Sequence, residues 1–200
     1  MLKRAFDMTL SGAGLVVSSP VWLLVAIAIR LEDGGPIMFP QERVGLRGVT
    51  FRALKFRSMV PNASSMPPHQ AGEDDPRVTR VGRLLRATAM DELPQLVNIF
   101  LGDMSFVGPR PLMPGEIEVR GAGELVALDS IPGYAFRHSV RPGLTGLTQV
   151  YAPRDAPRAR KFRLDAIYVN NASFCLDMYL VAVSFWITVR GKWEVRVRKL

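Results

Sequence analysis

Asp91 and Glu92 are neighbouring carboxylates in the segment Ala89-Met90-Asp91-Glu92-Leu93-Pro94-Gln95-Leu96. Pro94 has no backbone N–H to donate and is tolerated only in the first turn of a helix, so a helix is expected to start close before it. Asp91 then falls near an N-cap, with its carboxylate toward unpaired backbone donors, and the helix dipole favours the ionised form. A carboxylate so placed is either an ordinary cap, or a nucleophile or oxygen ligand for Mg²⁺.

Lys55, Arg57, Arg83, Arg86, Arg110 and Arg141 all fall in or beside turns and short elements. Guanidinium forks match phosphate oxygens in a bidentate way, so six such cations around a Gly/Pro-rich core point to an anion site. In Val107-Gly108-Pro109-Arg110-Pro111, two prolines fix φ on either side of one guanidinium, which lowers the entropy lost in holding Arg110 toward a ligand. A plain loop connector has the same composition. Arg141-Pro142-Gly143-Leu144-Thr145-Gly146 reads as a turn whose glycines permit close backbone approach. Asp165 and Asp177 stand in otherwise apolar stretches as helix caps or, for Asp165 four residues after Lys161, as half of a surface ion pair.

The elements that must position these groups are short. Phe51–Met59 reads as a strand with cationic side chains, Val60–Asp75 as a loop, and Val81–Met90 as a short amphipathic helix. Leu96–Leu101, Ile117–Leu128 and Lys161–Tyr168 also read as helical. The fold class expected is α+β, mostly α. The chain has 200 residues, which bounds it to about one domain. Its single cysteine, Cys175, excludes a disulfide framework and a Cys-based zinc site. With only His69 and His138 besides, a metal would take mainly oxygen ligands, Mg²⁺, Mn²⁺ or Ca²⁺ ahead of zinc.

The formal net charge of +8 calls for an anionic partner, and a mean hydropathy of +0.12, high for so basic a chain, points that partner toward a membrane surface. Lys3 and Arg4 precede an uncharged run from Met8 to Ile29, about 33 Å as a helix and long enough to cross a hydrocarbon core. Its length and the Arg30 that follows argue against a signal peptide. Ser18-Ser19-Pro20 sits near the middle. Two readings stand: a kinked spanning helix, or a re-entrant helix-break-helix that enters and leaves on one face. Cations flank both ends (Lys3 and Arg4; Arg30, Arg43 and Arg47), so positive-inside asymmetry does not choose between them. Met178–Val189 is apolar but too short to span, and Arg190, Lys192, Trp193, Arg196, Arg198 and Lys199 follow it. That pattern suits a helix lying at an anionic interface with a basic tail, as well as a core helix with a solvated tail.

Five segments together resemble the bacterial sugar transferases, the monotopic phosphoglycosyl transferases. They are Lys55-Phe56-Arg57-Ser58-Met59, Asp75-Pro76-Arg77-Val78-Thr79, Asp91-Glu92-Leu93-Pro94-Gln95, Gly102-Asp103-Met104-Ser105-Phe106-Val107-Gly108-Pro109-Arg110-Pro111 and Arg141-Pro142-Gly143-Leu144-Thr145-Gly146, in family order. The Ser-Pro break and the Leu164–Asp177 stretch match too, so the likeness covers nearly the whole chain. It implies a re-entrant membrane helix over residues 1–33, broken at Ser19-Pro20, and a small cytosolic catalytic domain over 34–200. The C-terminal interfacial helix and basic tail would occupy about 176–200. The chain resembles the minimal form of the family, placed at the cytoplasmic face of the bacterial inner membrane.

The chemistry implied is transfer of a sugar 1-phosphate from a UDP-sugar to undecaprenyl (polyprenol) phosphate, with Mg²⁺ and release of UMP, as a first membrane step of glycoconjugate assembly. By the resemblance Asp91 is nucleophile and metal ligand, forming a phosphosugar-aspartyl intermediate, with Glu92 beside it. Lys55, Arg57, Arg86 and Arg141 would clamp phosphates. Arg110, between Pro109 and Pro111, would meet the nucleotide side of the donor, and Asp165 would serve the acceptor half-reaction or support the site. Anionic lipids are the third partner, and the oligomeric state stays open, a homodimer included. Three other classes make different predictions. A sugar-only transferase releases UDP. A nucleic-acid binder needs a cationic stripe interleaved with exposed aromatics, which this sequence lacks, so no nucleic-acid partner is expected. A membrane scaffold does not depend on Asp91. The identity of the sugar is not written in the sequence, and Pro67-Pro68-His69 and Tyr151–Pro157 match no motif.

Overall fold

The structure is a computed structural model that describes residues 2–66, 75–121, 123–153 and 155–190. Pro67-Pro68-His69 and the tail from Lys192 to Lys199 lie outside the described residues.

Helix α1 (Leu2–Asp33) dominates one side of the molecule. Inward positions recur at helical spacing, from Lys3, Asp7 and Ser11 through Gly14 and Trp22 to Val25 and Ile29. Asp7 is buried and accepts a hydrogen bond from the Phe106 N–H (3.1 Å), while Ser11 Oγ donates to the Asp7 carbonyl. Lys3 reaches Asp177, the Tyr168 hydroxyl and the Val107 carbonyl, and Arg4 donates to the Ile99 and Phe100 carbonyls. Toward the other end, Trp22 packs edge-on against Phe56, and Val25 and Ile29 join Phe56 and Leu85 in one cluster. Arg57 pairs with Asp33, and Glu32 accepts from the Arg80 N–H. Both ends of α1 are therefore tied to the same polar domain. Its outward face is apolar: Val16, Val17, Leu23, Leu24 and Leu31 are each more than 60% exposed, a patch too large for an ordinary soluble surface.

The expected helix-break-helix is here one continuous helix with Pro20 inside it. A proline removes one backbone bond and bends a helix without ending it when the flanking turns are otherwise satisfied, and Ser19 Oγ donates to the Val16 carbonyl beside it.

Strands β1 (Met38–Val44) and β2 (Thr50–Phe56) form an antiparallel hairpin in which Arg43 faces Phe51 and Gln41 faces Ala53. Helices α2 (Arg80–Ala87) and α3 (Gln95–Leu101) follow, α2 capped by the Thr79 hydroxyl. β3 (Ser105–Val107) pairs in parallel with β6 (Gly143–Thr145), so the expected turn at Arg141–Gly146 contains a short strand. Ile117–Leu128 is not the expected helix. Residues of β4 (Ile117–Arg120) and β5 (Glu124–Ala127) pair as an antiparallel hairpin around Gly121 and Gly123, both at positive φ. The alternation Glu116-Ile117-Glu118-Val119-Arg120 has the period of a strand. α4 (Tyr134–Arg137), α5 (Leu147–Tyr151), α6 (Arg158–Asn170) and α7 (Phe174–Val189) complete the order. Fully buried Leu180 anchors α7 against Val107, Val150 and Tyr168, while Phe185 and Trp186 stay exposed on its far side. Among the described residues, six short strands beside a helical majority give the α+β class expected.

Candidate active site

Period-two alternation on the first hairpin turns Arg43, Ala53 and Lys55 to one face, and this face floors a small polar pocket. Glu92, Gln95, Arg110, Pro111 and the Gly143-Leu144 backbone complete the lining.

α2 is pressed onto the segment that follows β2. A Cβ on Gly82 would overlap the Ser58 carbonyl oxygen, so only glycine permits this approach. The contact brings Arg86 in, with its Nε donating to Ser58 Oγ (2.9 Å). After α2 the chain turns through Ala89 at φ 56°, a left-handed conformation that costs a non-glycine residue about 1–3 kcal/mol. A single 3₁₀ turn, Met90–Glu92, then presents the carboxylate pair. Asp91 is therefore inside that turn. The expected N-cap position is taken by Pro94, without a side-chain cap, and α3 starts only at Gln95.

The two carboxylates have different surroundings. Glu92 Oε1 accepts from Lys55 Nζ (2.8 Å) and from Arg110 (3.2 Å). Burial pushes the Glu92 carboxyl up, but Arg110 and Lys55 outweigh it and hold it at about 2. The Asp91 carboxyl is pushed up, first by burial and then by the Glu92 charge, against the weaker pull of Lys55 and Arg86. This reverses the expected effect of a helix dipole, because burial and the Glu92 charge outweigh the groups that favour the ionised form. Among the described residues no other side chain hydrogen-bonds to Asp91, so its oxygens remain available.

Arg110 is held from behind. Its carbonyl accepts from the Arg137 guanidinium (2.6 Å), and Arg137 donates through Nε to Asp165 (2.8 Å). Asp165 also accepts from Thr148 Oγ1 (2.5 Å). Arg137 and Asp165 are both about 2% exposed. On the other flank, the Gly143 N–H donates to the Pro109 carbonyl and the Gly108 N–H to the Thr145 carbonyl. A Cβ on Gly108 or Gly143 would collide with backbone across the β3–β6 pair.

Lys55, Arg110 and Pro111 thus line the pocket with Glu92, and buried Pro109 supports the segment, while Asp91 and Arg86 stand outside the pocket wall and Asp91 feels Lys55 and Arg86 through their charge. Three further expected site residues do not reach the pocket. Arg57 is 6% exposed and bound to Asp33 and the Pro36 and Met59 carbonyls, because β2 ends at Phe56 and the chain turns toward α1. Arg141 donates from Nε to the Gly102 carbonyl and lines a different cavity. Asp165 acts at one remove, through Arg137. Two participants were not singled out in the sequence as site residues: Arg43, taken for a flanking cation, which donates to the Pro111 carbonyl and to Gln41, and Arg137. Strand alternation with Lys55 could have found the first. For the second no local spacing signal exists.

Among the described residues there is no cluster of three or more His, Cys, Asp or Glu side chains that could hold a metal. Glu92 is already held by two cations. Asp91 has no other side chain on its oxygens, which fits Mg²⁺ bound mainly through substrate phosphates, its usual mode in phosphoryl sites.

The chain belongs to the bacterial sugar transferase family, which it matches over residues 1–191. It is 41% identical to the exopolysaccharide production protein PSS of Rhizobium leguminosarum bv. phaseoli, covering 90% of this chain and 92% of that protein. It is 40% identical to a UDP-glucose:undecaprenyl-phosphate glucose-1-phosphate transferase of Caulobacter vibrioides, covering 90% of this chain and 66% of the relative. It is also 40% identical to an undecaprenyl-phosphate glucose phosphotransferase of Komagataeibacter xylinus, of which it spans only 34%.

Proposed function

We propose that this chain moves a sugar 1-phosphate from a UDP-sugar to undecaprenyl phosphate, in two displacements through Asp91. The observation that carries this is the contrast between the carboxylates: Glu92 is occupied by Lys55 and Arg110, while Asp91 is free and lies within the field of Lys55, Arg86 and Arg110. An Asp91 oxygen attacks the phosphorus that bears the sugar, the bond from that phosphorus to the bridging diphosphate oxygen breaks, and UMP leaves with the electron pair. An oxygen of undecaprenyl phosphate then attacks the same phosphorus, the aspartyl–phosphorus bond breaks, and Asp91 returns to its carboxylate.

Lys55, Arg86 and Arg110 offset the charge spread over the transferring group. Arg110 is preorganised: Arg137 grips its carbonyl and prolines flank it, so little freedom is lost on binding. Asp91 and the donor diphosphate would together hold Mg²⁺, which would neutralise charge on the diphosphate and on departing UMP.

The membrane arrangement we infer is re-entrant, with α1 dipping in and both ends on the cytoplasmic face of the inner membrane. The supporting observation is that Lys3, Arg4 and Asp7 at one end and Glu32 and Asp33 at the other all bind the same domain, while the outward face between them is apolar. The exposed aromatics of α7 would sit at the interface.

The test is to supply the purified protein with Mg²⁺, undecaprenyl phosphate and a panel of UDP-sugars, and to identify the nucleotide released. UMP from the wild type and none from Asp91→Asn is the expected result, and the productive donor names the sugar. Release of UDP would overturn the assignment.

A further inference from the structure

A second cavity, of about 390 Å³, opens beside the first turns of α1 and shares no lining residue with the Glu92 pocket. Lys3, Arg4, Asp7, Arg47, Ser105 and Arg141 are in its wall. Four of these are cationic. The one acid, Asp7, spends an oxygen on the Phe106 N–H.

Two of the cations are fixed by structural contacts: Lys3 by Asp177 and Tyr168, and Arg4 by the α3 carbonyls. The other two have capacity left. Arg141 uses only Nε, on the Gly102 carbonyl. Arg47 has no side-chain partner among the described residues. It is held at φ 56°, a left-handed conformation that its backbone N–H maintains through a bond to the His138 carbonyl (2.6 Å). Ser105 supplies an independent sign. It is 1% exposed, and its hydroxyl has no hydrogen-bond partner. A buried polar group left unpaired is costly, and a bound acceptor in this cavity would relieve the cost.

We propose that this cavity is a phosphate-binding site for the headgroup of an anionic membrane phospholipid, separate from the transfer site. Phosphate fits two guanidiniums with donors to spare, Arg47 and the terminal nitrogens of Arg141, beside a hydroxyl donor. A lipid source follows from position: the wall is the N-terminal end of the apolar helix, next to exposed Leu2 and Met8, where a headgroup would lie when α1 is in the membrane. Such a lipid would bridge α1, β3 and the Arg47 turn, and so set how the domain sits on the surface.

The test follows thermal unfolding of the full chain in uncharged detergent, titrated with dihexanoyl phosphatidylglycerol and, separately, with inorganic phosphate. The lipid should raise the melting temperature saturably. Arg47→Gln and Ser105→Ala should each shift the half-saturation concentration upward, Arg47→Gln by at least ten-fold, while Arg160→Gln, an equal charge change at an exposed site on α6, should leave it unchanged. An equal weakening in Arg160→Gln would mean diffuse attraction and would overturn the site. Inorganic phosphate saturating with the same Arg47 dependence would overturn the lipid assignment in favour of a free phosphate. The readout involves no nucleotide, so it stands or fails apart from the transfer reaction.

Discussion

Neutralising Glu92 isolates the charge cluster that organises the pocket. Its carboxyl lies at about 2 in the folded protein against 4.5 for the ordinary group, since Arg110 and Lys55 overcome the cost of burial. A depressed carboxyl contributes stability above its unfolded pKa, and that stability drains away as pH falls through the folded value. The linkage gives about 3 kcal/mol at pH 6 and about 1 kcal/mol at pH 3, a loss of about 2 kcal/mol. Glu92→Gln keeps the shape and removes the titration. Between pH 6 and pH 3 the wild type should therefore lose about 2 kcal/mol more than Glu92→Gln, or about 4–8 °C in Tm for a chain of this size. Tryptophan fluorescence during thermal unfolding in detergent measures both proteins. Parallel acid profiles would refute the reasoning, because they would mean that Lys55 and Arg110 do not hold an ionised Glu92.

The same electrostatics set the acid limb of activity. Asp91 must be ionised to attack, and its raised pKa places the limb of kcat/KM above the ordinary aspartate value of 3.8; Glu92→Gln should move the limb down and Lys55→Met should move it up. Behind the pocket, Asp165→Leu alone strands the buried Arg137 charge and should cost about 3–5 kcal/mol, while Asp165→Leu with Arg137→Met should recover much of that in denaturation. Gly82→Ala forces α2 off the Ser58 carbonyl and should cost about 1–3 kcal/mol by overpacking, with activity lost as Arg86 moves, as unfolding and nucleotide-release assays on one preparation would report.

The parts of the site legible in the sequence were those whose chemistry is local. Asp91-Glu92 beside Pro94, and Arg110 between two prolines, announce themselves because proline restricts the backbone wherever it stands. Lys55 was legible for its charge within a strand. Arg57, two residues on, carries the same signal and faces the opposite way, because the strand ends between them and Asp33 waits at the end of α1. Which cations converge is a tertiary fact. Arg137 shows the limit most clearly, since its partner Asp165 is twenty-eight residues away and nothing in Tyr-Ala-Phe-Arg-His marks it. The β4–β5 hairpin, where a helix is expected, does carry a strand signal: Glu-Ile-Glu-Val-Arg alternates with period two and runs into Gly121 and Gly123. Ser19-Pro20 stands out in the sequence, but local residues do not reveal whether a proline ends a helix, and α1 runs on through it.

The most direct test of the account is to incubate the protein with its UDP-sugar and Mg²⁺ in the absence of undecaprenyl phosphate, quench it, and measure the intact mass and the mass of the peptide containing Asp91. The account predicts one added phosphosugar located on Asp91, one equivalent of UMP released, and loss of the adduct when undecaprenyl phosphate is supplied. An unmodified protein that nevertheless turns over donor when both substrates are present would contradict it, because transfer would then pass directly from donor to acceptor without Asp91 as the carrier.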